Sequence, residues 1–547
     1  MASLVTRVQA LLPLWVIGLS LVVALSFCVL YLLVRPAGAW GRRVRSRFLL
    51  GVPWGTLTVA LGVAAVFLLL QRGWWTPADP LVVPFRAWSY TYPLGMLTAP
   101  FSHASIGHLT GNLLGTLTFG VLAEYAWSHF PTERGSQSFG SLRENPVVRV
   151  GVFVGAVTVV ALLTSLFAVG PVIGFSGAVF AVAGFALVYY PIPTVVALTA
   201  GDLLNLLYRA LLVPVDPAQA GPRFVTPWWA NVAIQGHAIG FLYGVVLGAF
   251  VLSRRDRTSD PTRLWAATLL FAVGQSLWAV YWFRGGSRYV LFRAGGTMLV
   301  FLLAALVTAA LTASNRPLIA RIDLRRREAA VGLLLSLTLA LSLVGVPTNL
   351  IAVDDAGFDD GVEVRDYTVA YAEDVTDQYV SAFDVGLFGT SGRVNTSGVI
   401  LLSERRDVFN TVVPKSQLGF AGDTTVQVGG LGWRREVGVN LTVWRPVGND
   451  SAYRVALDPP DGPERFVYGS NVSTAEPRID GRRVRFRPMD GGFLLVVTRD
   501  AEPVGRVPLP DRGRNVSAGG LRFNRTADHL YAMRGRTRVR VAAFDGG

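Results

Sequence analysis

Ten apolar runs, separated by short polar segments, occupy about the first 350 residues of this chain. Most of the runs hold about 20 residues, which a helix needs to cross the roughly 30 Å apolar core of a bilayer. Because lipid offers no hydrogen bonds, each run must bond its backbone internally, as a helix does. The sequence therefore predicts a polytopic α-helical membrane protein. The predicted spans lie at about 11–34, 49–70, 108–127, 148–169, 176–190, 193–213, 230–252, 264–283, 289–313 and 329–346.

Arginine clusters predict which loops face the cytoplasm. The net charge of +14 is almost all arginine, since Lys415 is the single lysine. Basic loops of membrane proteins stay on the cytoplasmic side, beside anionic lipid, and we expect no nucleic-acid site. With ten alternating spans, three such loops fall on one side, so the N-terminus and the region after the last span are expected outside. The loops contain Arg35, Arg42, Arg43, Arg45, Arg47, Arg254, Arg255, Arg257, Arg263, Arg316, Arg321, Arg325, Arg326 and Arg327.

The composition changes after residue 350. Short alternating patterns such as Val437, Val439, Leu441 and Val443, separated by turn signals, predict an all-β domain of the sandwich type. The region also holds six Asn-x-Ser/Thr acceptors, which favour an extracytoplasmic, glycosylated domain. They are Asn395, Asn440, Asn449, Asn471, Asn515 and Asn524.

The predicted domains follow from these changes along the chain. Residues 1–48 form an extra transmembrane helix and a basic cytoplasmic loop, 49–252 a catalytic-looking core, 253–349 three further spans, and 350–547 the β-rich domain. The single cysteine, Cys28, excludes a disulfide framework and a thiolate metal site. We expect no metal and no organic cofactor. Arginine in place of lysine is typical of GC-rich genomes, which favours a prokaryotic cell membrane.

One predicted span is too short to reach both faces of the membrane. It follows the Gly-rich turn in Val172–Phe180 and ends before Pro191, which leaves about 15 residues or roughly 22 Å. Ser176, at or next to its first position, then lies at the floor of a hydrated pocket. A helix start adds free N–H groups and the positive end of a dipole, as an oxyanion hole requires. The alternative interpretation is a serine that only caps the helix.

A histidine base for this serine is available on the run at 230–252. His237 lies beside glycines that recur every four residues and form one flat stripe: Gly236, Gly240, Gly244 and Gly248. The Ser176 helix has small residues of its own, at Gly177, Ala181 and Gly184. Close packing of the two helices would bring His237 within hydrogen-bond reach of Ser176, and such a pair can activate the hydroxyl. A packing stripe with an interfacial histidine is the alternative.

His108 and Asn112 are the third candidate element. They lie at i and i+4, so both side chains leave the outer end of the span at 108–127 on one face. Asn112 can donate an N–H to a developing oxyanion, and His108 can add a second donor. A helix start capped by polar residues is the alternative, and His103 is interpreted as structural.

These motifs resemble those of rhomboid intramembrane serine proteases. The matching residues are His108-x-x-x-Asn112, Gly174-Phe175-Ser176-Gly177 and Gly236-His237-x-x-Gly240-x-x-x-Gly244. The resemblance covers about residues 49–252 and implies a six-helix core, to which about four spans are added here. It implies that Ser176 is the nucleophile, His237 the general base, and His108 with Asn112 the oxyanion hole. It also implies supporting roles for Gly174, Gly177, Gly240 and Gly244, and an aromatic stack of Phe180 on His237.

Two departures from the family pattern affect the loop and the gate. The Trp-Arg pair of many members is absent, with Pro93-Leu94 near its place. The span that resembles the lateral gate carries Asp202 and Arg209 two turns apart. We expect these two to form an internal ion pair or to extend to the interfaces, with a gating role as the alternative.

The predicted function is cleavage of transmembrane or membrane-proximal segments by a Ser176–His237 dyad, with transmembrane proteins as substrates and the lipid bilayer as partner. A non-proteolytic, rhomboid-like protein that binds transmembrane helices is the second hypothesis. A transporter is the third, although no pair of broken-helix repeats is visible.

Overall fold

The computed structural model describes residues 12–35, 38–131, 136–214, 226–255, 258–283, 288–319, 324–354, 356–358, 360–381 and 394–545. Two residues of the basic loops, Arg257 and Arg321, lie outside these ranges. The chain divides into two compact units, which we treat separately. Met1–Trp282 and Val290–Leu350 form the helical unit, and Phe283–Tyr289 and Ile351–Gly547 form the β-rich unit.

Among the described residues, ten helices of the helical unit follow the order of the ten predicted spans. In chain order the helices are α1 Leu12–Val34, α2 Ala39–Arg47, α3 Trp54–Leu70, α4 Pro93–Thr98, α5 Ile106–Trp127, α6 Pro146–Phe167, α7 Ser176–Tyr189, α8 Pro191–Leu212, α9 Ile234–Ser253, α10 Pro261–Gly274, α11 Arg293–Thr312 and α12 Arg326–Asn349. The two polar or short ones are α2 and α4. Strand pairs β1 Tyr281–Phe283 with β2 Tyr289–Leu291, and β3 Pro317–Ile319 with β4 Leu324–Arg325, follow α10 and α11.

Seven of the described helices are long and apolar enough to cross a membrane. The shorter apolar helices are α3 and α7, and α10 is a further short helix of 14 residues. The predicted polytopic fold is thus confirmed, whereas the predicted bounds 264–283 for α10 are wrong. The helix ends at Gly274, and from Tyr281 the chain is extended, which an apolar sequence alone does not reveal.

Glu124 fastens α3 to α5 inside the helical unit. Its fully buried carboxylate accepts hydrogen bonds from the N–H groups of Gly55 and Thr56 at 2.7 and 2.8 Å. The His129 Nδ1 atom accepts from Leu49 N–H, so its Nε2 atom carries the hydrogen and donates to Glu124 at 2.6 Å. A buried carboxylate with several donors is stable and directional, and it fixes the spacing of two helices that flank the site.

The β-rich unit is built from antiparallel sheets. Its strands are β5 Val362–Val364, β6 Tyr367–Thr376, β7 Asn395–Ser403, β8 Val408–Pro414, β9 Asp423–Gly430, β10 Trp433–Pro446, β11 Ala452–Asp458, β12 Arg465–Gly469, β13 Ser473–Thr474, β14 Arg482–Met489, β15 Gly492–Arg499, β16 Glu502–Pro508, β17 Asn515–Ala518, β18 Leu521–Arg525, β19 His529–Arg534 and β20 Thr537–Asp545. Two short helices, α13 Gln378–Ser381 and α14 Lys415–Ala421, interrupt them.

Three sheets organise these strands. One has the order β5-β6-β7-β8, one the order β13-β14-β15-β16, and the largest the order β12-β11-β10-β20-β19-β18-β17, with β9 paired to β10. The apolar sides of the second and third sheets share one core, which contains Phe486 and Leu495 from one sheet and Trp444, Phe523 and Val541 from the other. The predicted all-β fold is therefore confirmed.

Candidate active site

A tight turn presents Ser176 at the start of α7. Gly174, two residues earlier, has φ +125°, a conformation that favours glycine. A Cβ atom at Gly174 would also lie 2.5 Å from the His108 ring. The helix has only 14 residues and ends at Tyr189 before two prolines. The N–H groups of Ala178 and Val179 bond the carbonyl of Phe175, at 3.0 and 3.1 Å.

Ser176 and His237 form a direct hydrogen bond. The Ser176 Oγ atom lies 2.8 Å from the His237 Nε2 atom, within the range of a nucleophile and its base. The Phe180 ring stacks on the imidazole at a centroid distance of 4.2 Å and an interplanar angle of 14°. The His237 Nδ1 atom has no hydrogen-bond partner among the described residues. The serine hydroxyl and the imidazole therefore form a hydrogen-bonded pair, and the Phe180 ring stacks on the imidazole.

The glycine stripe on α9 explains how the two helices come so close. A Cβ atom at Gly240 would lie 2.2 Å from the carbonyl oxygen of Gly177, and one at Gly244 would lie 1.9 Å from that of Ala181. On the other helix, a Cβ atom at Gly184 would lie 2.4 Å from the carbonyl oxygen of Phe241. Backbone therefore packs directly on backbone, and this contact sets the position of the dyad.

Two candidate oxyanion donors face the same space as the serine. The Asn112 side chain is 7% exposed, and its amide nitrogen has no partner among the described residues. A buried amide without a partner is costly, which favours a ligand that accepts its hydrogen bond. His108 lies one turn earlier on α5, with its ring against Gly174.

A cavity of about 420 Å³ connects these groups. Ser176, His237, His108 and Asn112 all line it, and α8 forms its opposite wall through Gly201, Asp202 and Asn205. A larger cleft, of about 1290 Å³, lies in the β-rich unit, but no histidine or cysteine lines it among the described residues. No described group of three or more His, Cys, Asp and Glu side chains could hold a metal ion. The polar lining of the small cavity therefore includes a serine, two histidines, several amide side chains and the carboxylate of Asp202.

Two polar residues outside the predicted site, Gln235 and Asn349, form hydrogen bonds to the chain at the end of α6. The Gln235 amide accepts from Val169 N–H at 2.9 Å and donates to the carbonyls of Phe167 and Leu341. Asn349, at the end of α12, donates to the carbonyls of Leu166 and Ala168. Both join the C-terminal end of α6 to neighbouring segments. In the sequence, each of these residues is a polar amide in or next to an apolar run, and this pattern could have indicated a structural hydrogen bond.

Of the two expected arrangements for Asp202 and Arg209, the ion pair is not found among the described residues, and extension to the interfaces stays a prediction. Arg209 Nε donates instead to Asn205 Oδ1 at 3.4 Å, one helical turn away. The salt bridges of the described residues do not include Asp202, which lines the cavity. The i,i+4 spacing of Asn205 and Arg209 is closer than the seven-residue spacing of the predicted pair, so the nearer acceptor is the one bonded.

The pKa of His103 makes the free energy of unfolding depend on pH. It lies in the loop before α5, and burial, with a smaller contribution from His108, lowers its pKa from 6.5 to about 3. Because the unfolded chain takes up the proton at the higher pH, this stabilisation is complete above pH 6.5 and is lost as the pH falls toward 3. We expect the free energy of unfolding to decrease by up to about 1.4 kcal/mol per pH unit over that window. Denaturant unfolding in mixed micelles measures it.

His103→Gln is the matched control for this prediction. The variant lacks the titrating ring, so the difference between its pH profile and that of the wild type isolates the contribution of His103. Parallel profiles between pH 6.5 and 3 would contradict the assignment.

Comparison with known families agrees with this geometry. Residues 86–254 match the family model of the rhomboid domain, and this range contains Ser176, His237, His108 and Asn112. The resemblance expected from the sequence is therefore confirmed for this part of the chain. No curated protein and no solved structure gives a significant match.

Proposed function

Because the chain carries a rhomboid domain at residues 86–254, we propose that it is an intramembrane serine endopeptidase that cleaves transmembrane or membrane-proximal segments of membrane proteins. The observation that carries this proposal is the 2.8 Å contact between Ser176 Oγ and His237 Nε2, at the floor of a cavity formed by helices. Rhomboid-domain proteins act on membrane-protein substrates in the bilayer, and some lack activity. The retained dyad favours an active member.

The proposed reaction begins with attack of Ser176 Oγ on the carbonyl carbon of the scissile peptide bond. His237 Nε2 takes the hydroxyl proton during attack and returns it to the nitrogen of the leaving segment, as the general base and then the acid. Water then attacks the carbonyl carbon of the acyl-enzyme while His237 Nε2 takes a proton from it. The same proton passes to Ser176 Oγ as the ester bond breaks, which releases the second product and restores the hydroxyl. The cavity supplies access for this water, which lipid alone would exclude.

Asn112, His108 and the N–H group of Ser176 are the proposed oxyanion hole. The amide nitrogen of Asn112 is the group without a partner in the free protein, so the oxyanion would satisfy it. Donors that are already oriented stabilise the negative charge without reorganisation during the reaction.

Asn112→Ala should reveal this contribution. We expect kcat for a model transmembrane substrate to fall about 10²-fold or more, with a smaller change in KM, because the donor acts on the transition state. Thr110→Ala is the control on the same helix, since its hydroxyl bonds the backbone of Ile106. Equal kcat values for the wild type and Asn112→Ala would exclude this role.

Labelling by a fluorophosphonate tests the proposal itself. The purified protein in detergent is treated with the probe, and mass spectrometry of its peptides locates the adduct. We expect the adduct on Ser176, and cleavage of at least one model transmembrane helix at one defined bond. Absence of both results would favour the alternative, a rhomboid-like protein that binds transmembrane helices without cutting them.

A further inference from the structure

A carboxylate that forms no salt bridge with another described residue lines the candidate active site. Asp202 lies on α8 and lines the same cavity as Ser176 and His237. The nearest arginine on its helix, Arg209, is engaged by Asn205. Ionisable groups within transmembrane segments are costly and usually functional. A carboxylate in this position therefore needs either water or a cation in the cavity.

The helix lengths put Asp202 at the depth of the nucleophile. Helices α7 and α8 meet at Tyr190, run in opposite directions and pack against each other. Ser176 is the first residue of α7, about 20 Å from this junction at 1.5 Å per residue. Asp202 is the twelfth residue of α8, about 17 Å from it by the same measure. A peptide held at Ser176 would thus present its neighbouring side chains at the level of Asp202.

Small residues leave room for such a side chain. A Cβ atom at Gly111 would meet no atom within 4 Å, and one at Gly201 would meet only Thr118, at 3.9 Å. Both glycines line the cavity, between α5 and α8. The other polar side chains on this part of the lining, Thr118, Asn205 and Gln275, are neutral. The electrostatic character of the far wall is therefore set by Asp202.

We propose that Asp202 is a specificity-determining residue that selects substrates with a lysine or arginine side chain close to the scissile bond. This inference rests on the proposed protease function. Asp202 is exposed on α8 at the cavity wall, so a substrate cation could reach it without displacing packed side chains. The pair would neutralise a charge that the bilayer disfavours. A glutamate at the same substrate position would be rejected by like charge.

Matched substrates test the inference. Each set of model transmembrane substrates differs at a single position, which carries arginine, leucine or glutamate. One set is made for each position from four residues before to four residues after the cleaved bond. In at least one set, we expect the wild type to cleave the arginine substrate with a kcat/KM about tenfold or more above that of the leucine substrate. Asp202→Asn should abolish this ratio, and Asp202→Arg should invert it in favour of glutamate. Ratios within one variant cancel changes in folding or overall activity.

Leu203→Asn is the control for a polar change on α8. Leu203 is 55% exposed and does not line the cavity, so this variant should keep the wild-type ratio. The double variant Asp202→Asn with Leu203→Asp keeps the charge but moves it to the next side of the helix, and it should lose the preference. Equal cleavage of arginine and leucine substrates by the wild type would overturn the inference and leave the protease function intact. Absence of probe labelling and of all cleavage would overturn both.

Discussion

Replacing Ser176 by alanine should abolish labelling by a fluorophosphonate and lower kcat for a transmembrane substrate by about 10⁴–10⁶-fold. The proposed mechanism uses this hydroxyl to form the acyl-enzyme, because its oxygen lies 2.8 Å from His237 Nε2. His237→Ala should cause a loss of similar size, since the hydroxyl is a weak nucleophile without a base. Rates are measured in proteoliposomes, with products identified by mass spectrometry.

The double variant distinguishes a dyad from two independent effects. If Ser176 and His237 act as one unit, removing both should cost about as much as removing either. Ser342→Ala is a matched serine control, because that hydroxyl is bonded to Tyr243 in the same unit and is absent from the cavity lining. His529→Ala is the corresponding histidine control, because His529 lies in the β-rich unit and does not line the cavity. Normal cleavage by both single variants at Ser176 and His237 would refute the mechanism.

Gly244→Ala should destabilise the helical unit by about 3 kcal/mol or more and strongly reduce cleavage. The added Cβ atom would lie 1.9 Å from the backbone oxygen of Ala181. Backbone cannot rotate away as a side chain can, so α7 and α9 must separate. A shift of about 1 Å between reacting groups can cost about 10²-fold in rate. Denaturant unfolding in mixed micelles and kcat on the same preparation measure both effects.

Gly155→Ala is the matched control for this variant. It makes the same substitution within a transmembrane helix, α6, where a Cβ atom would meet no atom within 4 Å. We expect it to be neutral or to stabilise the helix by about 0.5–1 kcal/mol. If Gly244→Ala were as stable and active as Gly155→Ala, the close contact of the two helices would not control the dyad.

The sequence predicted the elements that depend on local chemistry. Helix length follows from the number of apolar residues between breakers, so Pro191 and the turn at Gly174 were enough to predict a short helix with Ser176 at its start. The four-residue repeat through Gly240 and Gly244 predicted one flat face by helical periodicity. Alternating patterns after residue 350 predicted strands, since side chains alternate across a sheet.

Relations between helices required the tertiary structure. Helix α10 ends at Gly274 because the chain turns there and continues as a strand, although the sequence stays apolar. The unpartnered amide of Asn112 depends on which neighbours pack around α5. Arg209 bonds Asn205 and leaves Asp202 to the cavity, a choice between two acceptors on one helix that spacing alone did not decide.

Local sequence patterns were enough to predict a membrane-embedded helical bundle and the order of its apolar helices. They also predicted that a serine begins a truncated helix. These follow from interactions between residues near each other in the chain, with the bilayer setting the length. Packing between distant residues brings Ser176 Oγ to 2.8 Å from His237 Nε2. It also places Asp202 in the lining of the same cavity. Both depend on how far each helix rotates about its axis and approaches its neighbour, and packing between residues distant in the chain fixes that rotation.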